Sequence, residues 1–211
     1  MVLGSTLKIV VVLALIALVV FPLRGPLYLA IAGTTANSEV LAAVAEIVAG
    51  PGLFTLVGTA VVIAVWSWLR DREAFWRLVC AGLGVVGAYL TSEVIKLLVS
   101  QPRPCRVLDV TTVLGCPQVG DWSWPSNHSV IAAAFATACI IAAPRLMWFV
   151  APMAVLIAFS RVAAGVHYLH DVASGLALGT ALVVVMVVML RPVVDRLPHT
   201  LTTTGTAGDS A

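Results

Sequence analysis

The sequence predicts an all-α integral membrane protein with six transmembrane helices and a short interfacial helix between the first two. Composition is the first reason, because 61% of the 211 residues are hydrophobic and only 10% are charged, whereas an ordinary soluble domain is about 45–50% apolar and about 25% charged. So much apolar surface excludes a disordered chain and cannot be hidden in a soluble core of this size. The net charge of +2 includes no basic block, which argues against a nucleic-acid partner.

Six apolar segments are the second reason, because a spanning helix needs about 20 predominantly apolar residues. Backbone groups in lipid must be hydrogen-bonded within the chain, so the segments are predicted to be helices. A proline-containing break at 143–145 separates the fourth segment from the fifth. The predicted spans are residues 5–22, 52–69, 75–99, 127–143, 146–163 and 171–190. Residues 1–190 are predicted to form one membrane domain and residues 191–211 a disordered cytoplasmic tail.

The first segment has some features of a secretory signal peptide, since Lys8 precedes the apolar run 9–21. An A-I-A triplet follows at 30–32, but two prolines and an arginine place it farther from the run than signal cleavage normally allows. We therefore predict that the segment is retained as the first transmembrane helix.

A short amphipathic segment, residues 37–49, lies between the first two predicted spans. Asn37 or Ser38 can cap its start, and a Gly-Pro pair ends it. Its apolar residues share one face, and its two glutamates lie on the other. Because the segment is too short to span, the pattern predicts an interfacial helix.

The basic residues favour an orientation with both termini in the cytoplasm. The inner side then carries seven of the twelve, which are Lys8, Arg70, Arg72, Arg77, Arg145, Arg191 and Arg196. The outer side carries the other five, which are Arg24, Lys96, Arg103, Arg106 and Arg161. Three of these five belong to the polar clusters described next, and the remaining ratio of seven to two agrees with the positive-inside rule.

Three polar clusters lie at the ends of predicted spans, where ionisable residues are costly and therefore informative. They are residues 96–104 at the end of the third span, 125–128 at the start of the fourth, and 160–171 between the fifth and sixth. No span separates the first cluster from the second, and two spans separate the second from the third. The span count therefore places all three clusters at the outer face.

The cations of these clusters indicate a binding site for a multiply charged anion. Lys96, Arg103 and Arg161 supply three positive charges, and the arginine fork matches phosphate oxygens in bidentate geometry. Ser126 lies where a helix begins, so its hydroxyl and the free N–H groups there suit a phosphate oxygen.

The histidines of the clusters indicate covalent catalysis. His167 and Asp171 are four residues apart, which is one helical turn, so the carboxylate can orient the imidazole as in a catalytic triad. His128 supplies a second imidazole, and the pair suggests a nucleophile assisted by proton transfer.

Taken together, the three clusters resemble the type 2 phosphatidic acid phosphatase superfamily, which shares its core with bacterial acid phosphatases and vanadium haloperoxidases. The family pattern is K-x6-R-P, then P-S-G-H, then S-R-x5-H-x3-D. Residues 96–104 and 160–171 match the first and third parts in full, whereas residues 125–128 read P-S-N-H. Asn127 therefore replaces a glycine, and asparagine tolerates positive φ better than most residues do.

The resemblance implies a role for each matched residue. His167 attacks phosphorus to form a phosphohistidine, Asp171 orients it, and His128 protonates the leaving oxygen and then activates water. The phosphoryl oxygens are held by Lys96, Arg103, Ser126, Arg161 and the backbone N–H of Asn127. The family uses no metal ion or other cofactor, and the sequence contains no carboxylate cluster of the kind that holds Mg²⁺.

The implied function is a lipid phosphatase whose partners are the membrane and a lipid phosphate. The predicted substrate is a polyprenyl diphosphate, hydrolysed at the outer face of a bacterial inner membrane during recycling of the cell-wall lipid carrier. Phosphatidylglycerol phosphate, phosphatidate and a polyprenyl phosphosugar are alternative substrates, and a lipid phosphotransferase is an alternative activity through the same intermediate. A channel or transporter is disfavoured, because the charges gather at one interface and not at mid-membrane.

The four cysteines fall into two pairs by environment. Cys105 and Cys116 share the predicted outer loop and form a candidate disulfide, since that loop faces an oxidising compartment. Cys80 and Cys139 lie in apolar runs and are predicted to be small buried hydrophobic residues.

Overall fold

The computed structural model describes residues 2–194, with side chains from residue 4 to residue 193. Within this part of the chain the structure is helical, without a β-strand. The helices are α1 (Val2–Val20), α2 (Arg24–Ala36), α3 (Glu39–Ala49), α4 (Gly52–Arg70), α5 (Arg72–Val99), α6 (Pro104–Val107), α7 (Asn127–Ala142), α8 (Met147–Ala163) and α9 (Leu169–Val194). A single 3₁₀ turn, Pro144–Leu146, precedes α8.

Four helical segments of the described chain are long and apolar enough to cross a membrane. They are Glu39–Arg70, Arg72–Val107, Pro144–Ala163 and Leu169–Val193. A fifth candidate is the pair of α1 and α2, which is bent by 94°. The fourth predicted span, α7, has 16 residues, which is about 24 Å of helix against a hydrocarbon core of about 30 Å. The multi-pass helical architecture is confirmed, while four or five of the six predicted spans meet the length required.

The region between the first two predicted spans differs from the prediction. Residues 24–36, which the sequence pattern does not mark as a helix, form α2. The proline at 26 suggests a break, but a proline in the first turn of a helix is tolerated because that turn needs no N–H donor. Ser38 caps α3, which ends at Ala49 before α4 begins at Gly52, so a short helix lies where the sequence predicts one. Together α3 and α4 form an apolar segment of 32 residues. The interfacial position of α3 stays a prediction, and the helix that turns sharply from its predecessor is α2.

The last helix extends beyond residue 190, where the predicted membrane domain ends. Residues 191–194 belong to α9 and not to the predicted tail, because a proline so close to a helix end removes few hydrogen bonds. The rest of the predicted tail, residues 195–211, lies outside the described residues.

Close contacts between helices surround α9, which packs against α1, α5 and α7. A Cβ atom added at Gly84 of α5 would lie 2.7 Å from the Cα of Val183. On the other side, Gly175 and Gly179 have the spacing of a small-xxx-small motif, and a Cβ at Gly179 would lie 2.2 Å from the carbonyl oxygen of Val130 on α7. Glycine at these positions lets α5, α7 and α9 approach closely, which brings the polar clusters at their ends together.

The loop between α8 and α9 is fixed by α2. Tyr28 is buried and donates a hydrogen bond of 2.9 Å to the carbonyl oxygen of Gly165, and its ring packs edge-on against Tyr168. Gly165 has a φ of +85°, and a Cβ there would lie 2.5 Å from the side chain of Thr112. Both the backbone conformation and the space require glycine, so the loop that carries His167 has one well-defined path.

Candidate active site

The structure brings the three polar clusters together at one end of the helix bundle. The first cluster lies at the end of α5, the second directly before and at the start of α7, and the third at the end of α8, in the loop that follows and at the start of α9. Six of the predicted site residues are buried: Lys96, Arg103, Ser126, Arg161, His167 and Asp171. The other two, Asn127 and His128, are partly buried.

His167 lies between an arginine and a carboxylate. Its Nε2 is 3.0 Å from Nη1 of Arg103, and its Nδ1 is 3.4 Å from Oδ2 of Asp171. Because a guanidinium can only donate, Nε2 is the acceptor in the first contact and the ring proton resides on Nδ1, facing Asp171. Burial, together with the positive charges of Arg103 and Arg161, holds the pKa of His167 well below its usual range. The neutral ring therefore presents an unprotonated Nε2 to the cationic side of the site.

Both oxygens of the buried Asp171 carboxylate receive hydrogen bonds. Oδ2 accepts from the hydroxyl of Ser123 and, at 2.9 Å, from the backbone N–H of Tyr168. Oδ1 accepts from Nε2 of Gln101 at 3.0 Å and lies 3.0 Å from Nε2 of His170. A buried carboxylate needs such partners, and their number fixes its position relative to the imidazole of His167.

Sequence reasoning missed Gln101 and Ser123 as partners of Asp171. Gln101 falls on one of the unspecified positions of the K-x6-R-P spacing, and Ser123 precedes the second cluster. A polar residue beside a motif is only weak evidence that its side chain belongs to the site. The hydrogen bonds depend on how the outer loop folds over α9, which no periodicity in the sequence reveals.

A third missed residue, Asp121, pairs with two of the three cations. Its Oδ1 lies 2.8 Å from Nη2 of Arg103 and 3.3 Å from Nζ of Lys96. Its backbone carbonyl oxygen accepts a further bond of 2.9 Å from Nε of Arg103. Partial burial raises the pKa of Asp121, but the hydrogen bonds and charges of Arg103 and Lys96 outweigh this and hold the pKa below its usual value. The carboxylate is therefore ionised at neutral pH.

Arg161 and Ser126 each carry a buried polar atom without a hydrogen-bond partner among the described residues. Arg161 donates from Nη1 to the carbonyl oxygen of Ala49 at 3.3 Å, but its Nε is unpaired. Ser126 is the N-cap residue of α7, yet its hydroxyl makes no capping bond and is unpaired as well. Unpaired buried polar atoms are costly and uncommon, and here both belong to residues predicted to hold an anion.

The side chain of Asn127 is held by α5. Its Nδ2 donates to a carboxylate oxygen of Glu93, and its Oδ1 accepts from the hydroxyl of Ser92 at 2.6 Å. Asn127 is the first residue of α7, and in the described chain the one non-glycine residue with positive φ is Ser100. Positive φ is therefore not the reason that asparagine fits here. Its backbone is helical, and its amide group is engaged by the neighbouring helix.

Two further histidines lie beside this centre. His128 is in the first turn of α7 and interacts electrostatically with His167 and Arg161, and its role in proton transfer stays a prediction. His170 is buried, and its ring packs edge-on against Phe21 at a centroid distance of 4.9 Å. Phe21, which directly follows α1, therefore packs against a neighbour of Asp171.

The outer loop contains a disulfide bond between Cys105 and Cys116, whose Cα atoms are 5.9 Å apart. The link closes the loop that begins just after Arg103, so it limits the freedom of the segment next to this cation. Cys80 and Cys139 are buried and unpaired by disulfides, as their apolar surroundings predict.

The arrangement can support nucleophilic substitution at a phosphate group. It combines an unprotonated imidazole nitrogen, a carboxylate that orients the ring, a second imidazole and three cations that can neutralise developing charge. No group of three or more His, Cys, Asp or Glu side chains within the described residues is arranged to hold a metal ion.

Comparisons with known proteins agree with this chemistry. The model of the PAP2 superfamily matches residues 77–194, which is more than half of the chain and includes all three clusters. A protein of Sulfolobus acidocaldarius named undecaprenyl-diphosphatase is 35% identical over 99 residues, which cover 46% of this chain and 48% of the relative. The undecaprenyl-diphosphatase BcrC of Bacillus subtilis is 27% identical over 143 residues, which cover 64% of this chain and 70% of that protein.

A solved structure shows the same fold. It is the crystal structure of a transmembrane PAP2-type phosphatidylglycerolphosphate phosphatase from Bacillus subtilis, and it superposes with a TM-score of 0.66 at 20% identity. The superposition covers 92% of this chain and 98% of that protein, so the likeness extends to the N-terminal helices that precede the matched family segment.

Proposed function

The chain belongs to the PAP2 superfamily, and from this premise we propose that it is an integral-membrane phosphatase that hydrolyses a polyprenyl diphosphate through a phosphohistidine intermediate. One observation carries the proposal. The imidazole of His167 directs one nitrogen towards Arg103 at 3.0 Å and the other towards the buried carboxylate of Asp171 at 3.4 Å. A phosphate bound to the guanidinium would therefore lie beside a neutral, oriented nucleophile.

The first step transfers the terminal phosphoryl group to the enzyme. The lone pair on Nε2 of His167 attacks phosphorus, so that an N–P bond forms while the P–O bond to the polyprenyl phosphate breaks. Asp171, which accepts from Nδ1–H, stabilises the positive charge that develops on the ring. His128 donates a proton to the departing oxygen.

The second step returns the enzyme to its starting state. A water molecule attacks the phosphohistidine while His128, now neutral, accepts one of its protons. The new P–O bond forms, the N–P bond breaks, and the electron pair returns to Nε2 of His167. The products are orthophosphate and the polyprenyl monophosphate released in the first step.

The remaining motif residues stabilise the phosphoryl oxygens during both steps. Lys96, Arg103 and Arg161 supply positive charge, and the first backbone N–H groups of α7 lack intrahelical partners. The unpaired Nε of Arg161 and the unpaired hydroxyl of Ser126 gain partners when an anion binds. Donors preorganised in this way commonly provide the largest share of transition-state stabilisation.

A diphosphate is the preferred substrate for two reasons. Two relatives bear the name undecaprenyl-diphosphatase. In addition, a diphosphate loses a phosphomonoester, which is a better leaving group than the alkoxide that a phosphatidate would lose, so His128 has less protonation to supply.

We expect the purified protein in detergent to release orthophosphate from undecaprenyl diphosphate with a kcat/KM at least about tenfold higher than from phosphatidate or phosphatidylglycerol phosphate. A tenfold difference corresponds to about 1.4 kcal/mol of activation free energy. The substrates are compared at equal surface fraction in mixed micelles without an acceptor lipid. Equal or faster turnover of either monophosphate would contradict the substrate assignment and leave the phosphatase class standing. A requirement for an acceptor would indicate a phosphotransferase.

The proposed location is a bacterial inner membrane, with the site at the outer face and both termini in the cytoplasm. The distribution of basic residues supports this orientation. The disulfide between Cys105 and Cys116 supports it independently, because such bonds persist on the oxidising side of a membrane.

A membrane-impermeant thiol reagent should therefore label Val119→Cys in intact cells, since Val119 is 82% exposed in the outer loop. Glu73→Cys, at the start of α5, should be labelled only after the cells are permeabilised. The background is low because the two free native thiols are buried. The reverse pattern would place the site in the cytoplasm and remove the argument for carrier recycling at the outer face.

A further inference from the structure

The cationic part of the site already holds an anion, the carboxylate of Asp121. A single oxygen, Oδ1, lies 2.8 Å from Nη2 of Arg103 and 3.3 Å from Nζ of Lys96. Both cationic side chains are almost completely buried, with 5% and 6% exposed, whereas the Asp121 side chain is 47% exposed. The carboxylate therefore approaches the buried cations from the side that is open to solvent.

We propose that Asp121 is an internal competitor for the substrate phosphate: its carboxylate occupies the anion site of the resting enzyme, and a substrate head group must displace it. The inference rests on the proposed function, because it assigns Lys96 and Arg103 to the substrate phosphate. It adds a residue outside the family pattern that controls how tightly a phosphate group binds.

The carboxylate lies where a reacting phosphate would need to bind. Arg103 directs Nη2 towards Asp121 and Nη1 towards Nε2 of His167, which is 3.0 Å away. The two nitrogens belong to one planar guanidinium group, so an anion on Nη2 is the immediate neighbour of the nucleophile. A phosphoryl group in line with Nε2 therefore competes with Asp121 for Arg103 and for Lys96.

Displacement does not require the loop to unfold. The backbone carbonyl oxygen of Asp121 accepts a separate hydrogen bond from Nε of Arg103, and its backbone N–H donates to the carbonyl oxygen of Gln118. Both bonds can persist while the half-exposed carboxylate rotates into solvent. The exchange replaces one anion by another on the same two cations, which avoids leaving a buried charge unpaired.

Every phosphate that uses both cations must displace the same carboxylate. The apparent affinity for each head group is therefore reduced by the same factor, which is set by the fraction of the enzyme in which Lys96 and Arg103 are free of Asp121. Asp121 lowers the affinity for diphosphates and for monophosphates alike and leaves the ratio of the two affinities unchanged.

The test removes the carboxylate and measures anion binding without turnover. Orthophosphate is the probe, and its affinity is read from the shift of thermal unfolding of the purified full-length protein. Asp121→Asn should bind orthophosphate on the order of tenfold more tightly than wild type. Without ligand it should unfold at a lower temperature, because Lys96 and Arg103 lose their partner. Asp109→Asn is the matched control, since Asp109 is an exposed acidic residue of the same outer segment, and should behave like wild type.

A second variant and a second readout separate competition from a merely structural role. Asp121→Ser also removes the charge and is measured in parallel, so the result does not depend on the folding of one protein. With lipid substrates, both variants should show a KM that is lowered by a similar factor for the diphosphate and for the monophosphate. Unchanged or weaker orthophosphate binding in folded variants would overturn the inference and make Asp121 a positioning residue for Arg103.

The outcome is distinguishable from failure of the proposed function. If wild type hydrolyses no lipid phosphate but the variants bind orthophosphate more tightly, the proposed reaction fails and the competition of Asp121 for the anion site stands. If wild type hydrolyses polyprenyl diphosphate and the variants show no gain in orthophosphate affinity, the reaction stands and the role of Asp121 is refuted.

Discussion

Replacement of His167 by alanine is expected to lower kcat for phosphate release by about four orders of magnitude or more, as removal of a covalent nucleophile does in other enzymes. The reason is that no other described side chain has the same position between Arg103 and Asp171. Because burial and neighbouring cations hold the pKa of His167 well below its usual range, its ring stays neutral through mildly acidic pH. Protonation of the nucleophile should therefore not cause an activity loss near pH 6.5, the region where an unperturbed histidine titrates.

Rapid acid-free quenching with a radiolabelled terminal phosphate measures the intermediate directly. Wild type should carry label in a bond that is stable to base and labile to acid, as expected for an N–P bond, and His167→Ala should carry none. His128→Ala is the informative companion, because it should form the labelled enzyme and hydrolyse it slowly. Full activity of His167→Ala, or labelling of that variant at the wild-type level, would refute the mechanism. Chelators should leave wild-type activity unchanged.

Substitution of Gly179 by alanine is expected to destabilise the protein by about 3 kcal/mol, at the upper end for added atoms in a well-packed interior. The added Cβ would lie 2.2 Å from the carbonyl oxygen of Val130, so α7 and α9 must separate. That movement displaces the start of α7 from Asp171. We therefore expect kcat to fall together with the melting temperature, measured on the same preparation.

Gly58→Ala on α4 is the matched control, because nothing lies within 4 Å of the Cβ it would add. It should be neutral or slightly stabilising, since alanine has a higher helix propensity than glycine by about 1 kcal/mol. If Gly179→Ala melts and turns over like Gly58→Ala, the close approach of α7 and α9 is not what aligns the site.

The spacing of charged residues predicted much of the site. Lys96, Arg103 and Arg161 could be placed at one face because apolar spans of known length separate their clusters. The four-residue spacing predicted a contact between His167 and Asp171, although His167 lies in the loop before α9 and not on the helix itself. The partners Gln101 and Ser123 could not be predicted, since they depend on the path of an irregular loop.

The N-terminal region shows the opposite limit of sequence reasoning. The sequence pattern predicted no helix between the first apolar run and the segment 37–49. The structure forms α2 there, with the proline at 26 in its first turn. α2 packs against α3 and α8. Tertiary contacts of this kind stabilise a helix without producing a periodic pattern in its sequence.

Two hydrogen bonds connect α2 and α3 to the site, so the catalytic helices cannot be exchanged between relatives independently of the N-terminal helices. Tyr28 donates to the carbonyl oxygen of Gly165, and the carbonyl oxygen of Ala49 accepts from Arg161. Both Tyr28 and Ala49 lie upstream of residues 77–194, the segment that defines the superfamily. In a chimera that joins this segment to the N-terminal half of another protein, the carbonyl oxygen of Gly165 and an N–H group of Arg161 would lose their hydrogen-bond partners. Exchange of lipid specificity between relatives should therefore succeed only when α2 and α3 are transplanted together with the catalytic helices.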